Sequence, residues 1–301
     1  PPSSGGFAIV QLLKMKDYLS ELFEGVEHNS AQYIHLVAEM EKRVFADRAE
    51  YLGDPDFFDI DIDALIDDDY LTRRAAEVNP KAISVLDSVN PGLESPNTTH
   101  YSIVDQWGNA VSNTYTINWD YGSGVVVGGA GFLLNNEMDD FSAKPGTPNI
   151  YGVVGSVANE IQPGKRMLSS MSPTIVLKGG EVEMVLGTPG GSTIFTTVFQ
   201  VITNILDFGM SVEEAIGIAR FHHQLVPPDL ITYSGFTIGQ HLPKATVADL
   251  LERGYRSEPH SFEYGDVQII MRSGDSWIAA SDPRDRGQSR VFEVTTKTRD
   301  R

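Results

Sequence analysis

The 301-residue sequence contains no cysteine. That removes disulfides, thiolate metal sites and a cysteine nucleophile together. Long apolar runs are also missing: no stretch of 18 apolar residues occurs, so no membrane-spanning helix is expected. Positive charge is scarce, with 23 Lys and Arg against 41 Asp and Glu and a net charge of −18. The deficit is spread along the chain, since residues 1–97 carry 8 basic against 19 acidic groups and residues 98–301 carry 15 against 22. A phosphate backbone is repelled by such a surface, so no nucleic-acid partner is expected. What is present, 41% hydrophobic and 21% charged residues, suits a globular protein with a substantial core. The chain opens at PPSSGG with neither an initiator Met nor a signal peptide, and is expected to be a piece or processed product of something longer.

Hydrophobic spacing divides the chain into two styles. In FAIVQLLKMKDYLSELFEGV, Ile9, Leu12, Leu13, Leu19, Leu22 and Phe23 share one helical face, with Gly25 as the stop. A second helix is predicted from Ser30 to the break at Gly53 and Pro55, and a third across Tyr70–Val78. From His100 the period becomes two. Three hairpins are predicted, turning at Trp107–Asn109, at Gly179–Gly180 and at Ser273–Asp275. Helices are predicted between the last two, in STIFTTVFQVITNILDFG, SVEEAIGIARFHH and TVADLLERG. Helices covering antiparallel sheets in stacked layers follow from this order. Residues 142–165, rich in Gly, Pro and Asn and without periodicity, read as a functional lid or a disordered stretch, with the lid preferred.

The change of style falls at residues 95–98, beside the pair Thr98–Thr99. β-branched residues suit the start of a strand. A threonine that became a chain terminus would also hold a hydroxyl nucleophile and an amine base on one residue. Elsewhere the signals are weaker singly. TPGGST, residues 188–193, lies between a strand and a helix, where successive backbone N–H groups at glycine turns suit an anion or an oxyanion. It lacks the Lys of a phosphate loop. LSSMSP, residues 168–173, clusters hydroxyls before a strand, and NNEMDDFS, residues 135–142, gathers acids and amides suited to an ammonium group. Asp59, Asp61 and Asp63 miss the Gly and Glu positions of a calcium loop and read as solvated surface. His222 and His223 are adjacent, which is wrong for an i, i+4 ligand pair, and read as packed or capping residues. No metal or cofactor is called for.

Taken in order, PPSSGG, FADRAEYLGDPDF, NTTHYSIVDQWGNAVSNTYTIN, GFLLNNEMDDFS, LSSMSPTIV, GTPGGS, ARFHHQ and ASDPR resemble the γ-glutamyltransferase (γ-glutamyl transpeptidase) family of N-terminal-nucleophile hydrolases. The resemblance implies an αββα four-layer sandwich made from a precursor that cuts itself between Asn97 and Thr98. Residues 1–97 would then be the end of a large subunit and 98–301 the small, catalytic one, both parts of one domain. Thr98 becomes the nucleophile, its freed amine the base, and Thr116 the residue that orients that amine. Gly190 and Gly191 would form the oxyanion hole. Asn118, Glu137 and Asp140 would hold the substrate α-ammonium, Ser169 and Ser170 its α-carboxylate, and Tyr151 would cover it. Glu137 stands where some bacterial members have Gln, and both accept a hydrogen bond from an ammonium. Members of the family carry a carboxylate-binding arginine in a preceding segment of the large subunit, a partner absent from this sequence, so no arginine here is assigned that role. Export to a periplasm or the cell exterior is implied. A related acylase acting on glutaryl-β-lactams or poly-γ-glutamate, or a catalytically incomplete relative, are the alternatives. Incubated near neutral pH, the chain is expected to show two species by intact mass, residues 1–97 and 98–301; a persistently uncut chain, even with the preceding segment restored, contradicts the threonine reading.

Overall fold

The computed structural model describes residues 2–85, 98–149, 152–234, 241–260, 264–285 and 287–293. Ser30 opens the longest helix by accepting a hydrogen bond from the Tyr33 N–H, which satisfies one of the free donors at a helix start. That helix, α3 (Ala31–Tyr51), follows α1 (Gly5–Tyr18) and a single turn, α2 (Ser20–Phe23). The continuous first helix expected from spacing is therefore interrupted at Leu19, a buried residue whose backbone leaves the helical region. α4 (Ile62–Leu65) is one turn capped by Asp61, and α5 (Asp68–Ala76) is capped by Asp67. Asp59, Asp61 and Asp63 are exposed, as a solvated acidic surface requires.

Strand β1 (Thr98–Val104) pairs antiparallel with β2 (Ala110–Thr116), in a register that sets Thr98 opposite Thr116. A four-stranded antiparallel sheet has the order β3 (Thr174–Lys178), β4 (Glu181–Gly187), β8 (Gln268–Ser273) and β9 (Ser276–Ser281). The hairpin lies across this sheet, with Ser112 Oγ donating to the Leu186 carbonyl at 3.0 Å. His100 sits directly over Gly187: a Cβ there would come within 2.3 Å of the imidazole. On the other face, Met184, Leu186 and Ile269 join one core with α1, α3 and α6 (Thr193–Leu206). The packing order is thus helices, sheet, hairpin. The hairpin's outer residues Tyr101, Ile103, Val111 and Tyr115 are exposed.

α6 is buried on all sides from Thr193 to Ile205, so its polar side chains need internal partners. Gln200 supplies one set: its Nε2 donates to the Phe221 carbonyl and its Oε1 accepts the Phe221 N–H, as a neighbouring strand would. α7 (Val212–Gly217) begins with a capping box between Ser211 and Glu214 and ends earlier than expected. The residues ARFHH, predicted as helix, leave it instead. Phe221–His222 forms β5 in a three-stranded sheet with β6 (Leu230–Tyr233) and β7 (Arg256–Pro259), preceded by α8 (Lys244–Glu252). The parallel β6–β7 pairing joins residues 26 positions apart, beyond the reach of local periodicity.

Phe199 is fully buried between these layers. Phe199→Ala is expected to cost about 3–5 kcal/mol, read as a fall in the denaturant midpoint, whereas Ser30→Ala should cost about 1 kcal/mol.

Candidate active site

Thr98 is the first residue of β1 and meets the last residue of β2, its Oγ1 lying 3.2 Å from Thr116 Oγ1. Thr116 Oγ1 also accepts the Asn118 N–H at 2.8 Å, which bends the chain immediately after β2. Asn118 sits at φ +77°, a left-handed conformation that Asn tolerates better than most residues. The bend is tied to the acidic segment, for Asn136 Oδ1 accepts the Trp119 N–H and the Asn136 N–H bonds the Ile117 carbonyl.

From there a 3₁₀ turn, Glu137–Asp140, carries the acids inward. Glu137 is buried, and burial pushes its carboxyl up from the usual carboxylate range. Asp140 is pushed further, to about 7, by burial first and by the Glu137 and Asp139 charges beside it, with Arg48 opposing. Asn159 holds this turn against the next segment. Its Nδ2 donates to the Asp140 carbonyl at 2.7 Å while its Oδ1 accepts the Leu168 N–H at 3.0 Å. Ser169 and Ser170 follow, and the strand-like residues at the chain start brace them: Ser4 N–H bonds the Ser169 carbonyl and Ser169 N–H bonds the Pro2 carbonyl.

β4 ends at Gly187, and Thr188–Ser192 turns into α6. Gly190 adopts φ +136°, and a Cβ there would lie 2.6 Å from Thr193 Oγ1. Gly191 adopts φ +56°. Both conformations favour glycine. The turn presents Gly191 and Ser192 to the cavity that holds Thr98.

That cavity, about 30 Å³, brings together Thr98, Thr116, Asn118, Asp140, Ser169, Ser170 and Gly191. Glu137 and Gly190 stand beside it without lining it. Asn97 and Tyr151 lie outside the described residues, although Asn149 and Val153 of the expected lid stretch do reach the cavity wall. Two contributors escaped sequence reasoning. Asn159 is one. Arg48, 6% exposed near the end of α3, is the other: its Nη2 donates to Ser170 Oγ at 3.1 Å and its Nε to Ser4 Oγ at 3.0 Å. No local signal marks it, since its partners Ser4 and Ser170 lie 44 and 122 positions away. The adjacent histidines pack, as expected: His222 bonds Thr196 and Gln224, and His223 bonds the Pro228 carbonyl, with burial pushing both down to about 3. No helix among the described residues is long and apolar enough to cross a membrane.

A threonine heading a strand, with a glycine turn, paired hydroxyls and inward carboxyls around it, is an arrangement suited to presenting a hydroxyl to an acyl group. The sequence matches the family described as Gamma-glutamyltranspeptidase over residues 1–292, and the chain belongs to that family. It is 59% identical to the glutathione hydrolase proenzyme of Pseudomonas aeruginosa over 292 residues, covering 97% of this chain and 52% of that protein. To the glutathione hydrolase proenzyme of Escherichia coli K12 it is 45% identical over 289 residues, covering 94% and 48%. The chain therefore spans about half the length of the curated relatives it matches. Among solved structures, the gamma-glutamyltranspeptidase from Pseudomonas nitroreducens complexed with L-DON superposes with a TM-score of 0.62 at 56% identity, covering 65% of this chain and 100% of that one.

Because the folded state holds the Asp140 proton far above its ordinary value of 3.8, stability is fully present below that value. It is lost as pH rises toward about 7. Asp140→Asn is therefore expected to melt above the parent protein at pH 8, with the gap closing as pH falls toward 4, measured by thermal denaturation across that range.

Proposed function

We propose that this chain forms about half of a self-processing threonine acyltransferase that cleaves γ-glutamyl amides such as glutathione and passes the γ-glutamyl group to water, amino acids or peptides. The observation that carries this reading is the convergence of Thr98, Asp140, Ser169, Ser170 and Gly191 on one cavity. The remainder of the large subunit is the partner, completing an αββα four-layer sandwich over the exposed hairpin face, and the enzyme works in a periplasm or outside the cell. A product beginning at Thr98 would hold 204 of 301 residues, about two thirds; the fully matched Pseudomonas nitroreducens chain covers 65%. That proportion supports a division near Thr98.

In the precursor, the Thr98 hydroxyl attacks the Asn97 carbonyl, the peptide becomes an ester, and water releases a new N-terminus. The freed amine has an ordinary pKa of about 7.7–8.0 and is partly neutral near pH 7. It takes the hydroxyl proton as Oγ1 attacks the γ-carbonyl of the donor. Thr116 keeps the nucleophile in place through the cross-strand contact. The oxyanion is received by the backbone N–H groups of Gly190 and Gly191, where losing one donor costs roughly 3–4 kcal/mol of barrier. The protonated amine then gives its proton to the leaving amine. The γ-glutamyl ester on Thr98 is finally resolved by water or an acceptor amine, which is a ping-pong sequence.

Recognition divides by charge. The ionised Asp140 carboxylate, with Glu137 and Asn118, meets the donor's α-ammonium, while Ser169 and Ser170 donate to its α-carboxylate. Tyr151 covers the bound donor.

In the complete proenzyme, Thr98→Ala is expected to stay uncut and to turn over no γ-glutamyl anilide, and Thr98→Ser to retain both activities at reduced rate. Turnover by Thr98→Ala would sink the reading. Faster cleavage of a glutaryl anilide, which lacks the α-ammonium, would assign the site to an acylase instead.

A further inference from the structure

Arg48 is a buried cation that makes no ion pair among the described residues; the one carboxylate whose charge it feels is Asp140. Its ordinary pKa is lowered by burial to about 10, so it remains charged at neutral pH. A guanidinium only donates hydrogen bonds. Ser170 Oγ, which takes one from Nη2, cannot return its own hydrogen to that partner. Ser169 is in the same position, since its Oγ accepts the Met171 N–H at 3.1 Å. Each serine oxygen is thus occupied as an acceptor by a donor in the wall, which commits its single hydrogen to a third group. Both residues line the cavity, so that hydrogen is available to a group placed there.

Arg48 also reaches Ser169 by a second route. Nε donates to Ser4 Oγ, and Ser4 Oγ donates in turn to the Ser169 carbonyl at 2.8 Å. The Ser4 N–H bonds the same carbonyl. One guanidinium at the end of α3 therefore braces both halves of the serine pair, one directly and one through Ser4. Its positive charge lies on the serine side of the cavity and opposes the Asp140 charge, so the two ends of the site differ in sign.

Resting on the γ-glutamyl reading above, we propose that Arg48 is a positioning and specificity-determining residue for the donor's α-carboxylate, acting through Ser170 and Ser4 to aim both serine hydroxyls at that anion. It takes no part in proton transfer and does not touch the reacting carbonyl. Its removal should weaken selection of donors that carry an α-carboxylate and leave the acyl-transfer step nearly intact.

The test uses the complete proenzyme and two anilide donors, γ-glutamyl and 4-aminobutyryl, which differ only in the α-carboxylate. Arg48→Gln is expected to raise KM for the γ-glutamyl donor about 10- to 100-fold with kcat changed less than about threefold, as loss of a hydrogen bond from a charged donor implies. For the 4-aminobutyryl donor kcat/KM should move less than about threefold. Arg48→Lys, which keeps the charge without the fork, should fall between. Ser4→Ala removes the second route from outside the cavity and should raise KM for the γ-glutamyl donor alone by about 3- to 10-fold. Equal losses on both donors, or a loss in kcat with KM unchanged, overturn the proposal. Should Arg48→Gln fail to mature, the same donor comparison on Arg48→Lys and Ser4→Ala decides, and parental behaviour in both overturns it. A parent enzyme that cleaves neither donor refutes the γ-glutamyl reading itself, which separates that failure from this one.

Discussion

Helix α3 is covered on nearly every side, and the site hangs from that constraint. Burial of a helix carrying Glu39, Glu41, Lys42, Arg43, Asp47 and Arg48 forces each charge to find a partner or a purpose. Glu39 takes Lys42 at 2.7 Å and Arg43 at 3.1 Å, and Asp47 takes Arg74. Glu41, whose carboxyl burial pushes well above the usual range, accepts the His223 N–H and so fixes the exit from β5. The last turn of α3 then organises the loops. Ser156 bonds the Ala49 and Glu50 carbonyls, Arg166 closes on Asp54 just beyond the helix, and Arg48 takes the serines. Segments more than 100 residues apart are thereby referred to one rigid element.

The nucleophile side depends on a different kind of fit. The β1–β2 hairpin seats where Gly187 has no side chain, so that His100 packs against backbone, with its nitrogens within reach of Thr114 and Ser102. Burial lowers this imidazole to about 4, which keeps it neutral and leaves the hairpin's seat uncharged near pH 7. Thr98 is two residues along the same strand, so this seat and the Thr98–Thr116 contact at the strand's end position it together.

Much of the architecture was legible because its signals are local. Ser30 and the two-residue Gly179–Gly180 turn each announce an element boundary within a few residues, whereas the third helix starts two residues before the expected Tyr70, at the Asp67 cap. The four-strand order and the parallel β6–β7 pair are not local, and Phe221–His222 was misread as helix because a two-residue strand is too short to show a period of its own. For the site, an ordered set of short stretches pointed to Thr98, Asp140 and the serines. Nothing in a lone Arg or a lone Asn within polar surroundings distinguishes a buried brace from a solvated side chain. Arg48 and Asn159 become visible only once chain distant in sequence closes over them.

The acidic turn has one more consequence. With burial holding Asp140 at about 7, its carboxyl is a mixture of protonated and ionised forms at neutral pH. A cationic group settling beside it selects the ionised form, so capture of such a ligand ejects a fraction of a proton into solvent. The apparent heat of binding such a cation would then shift with the ionisation enthalpy of the buffer.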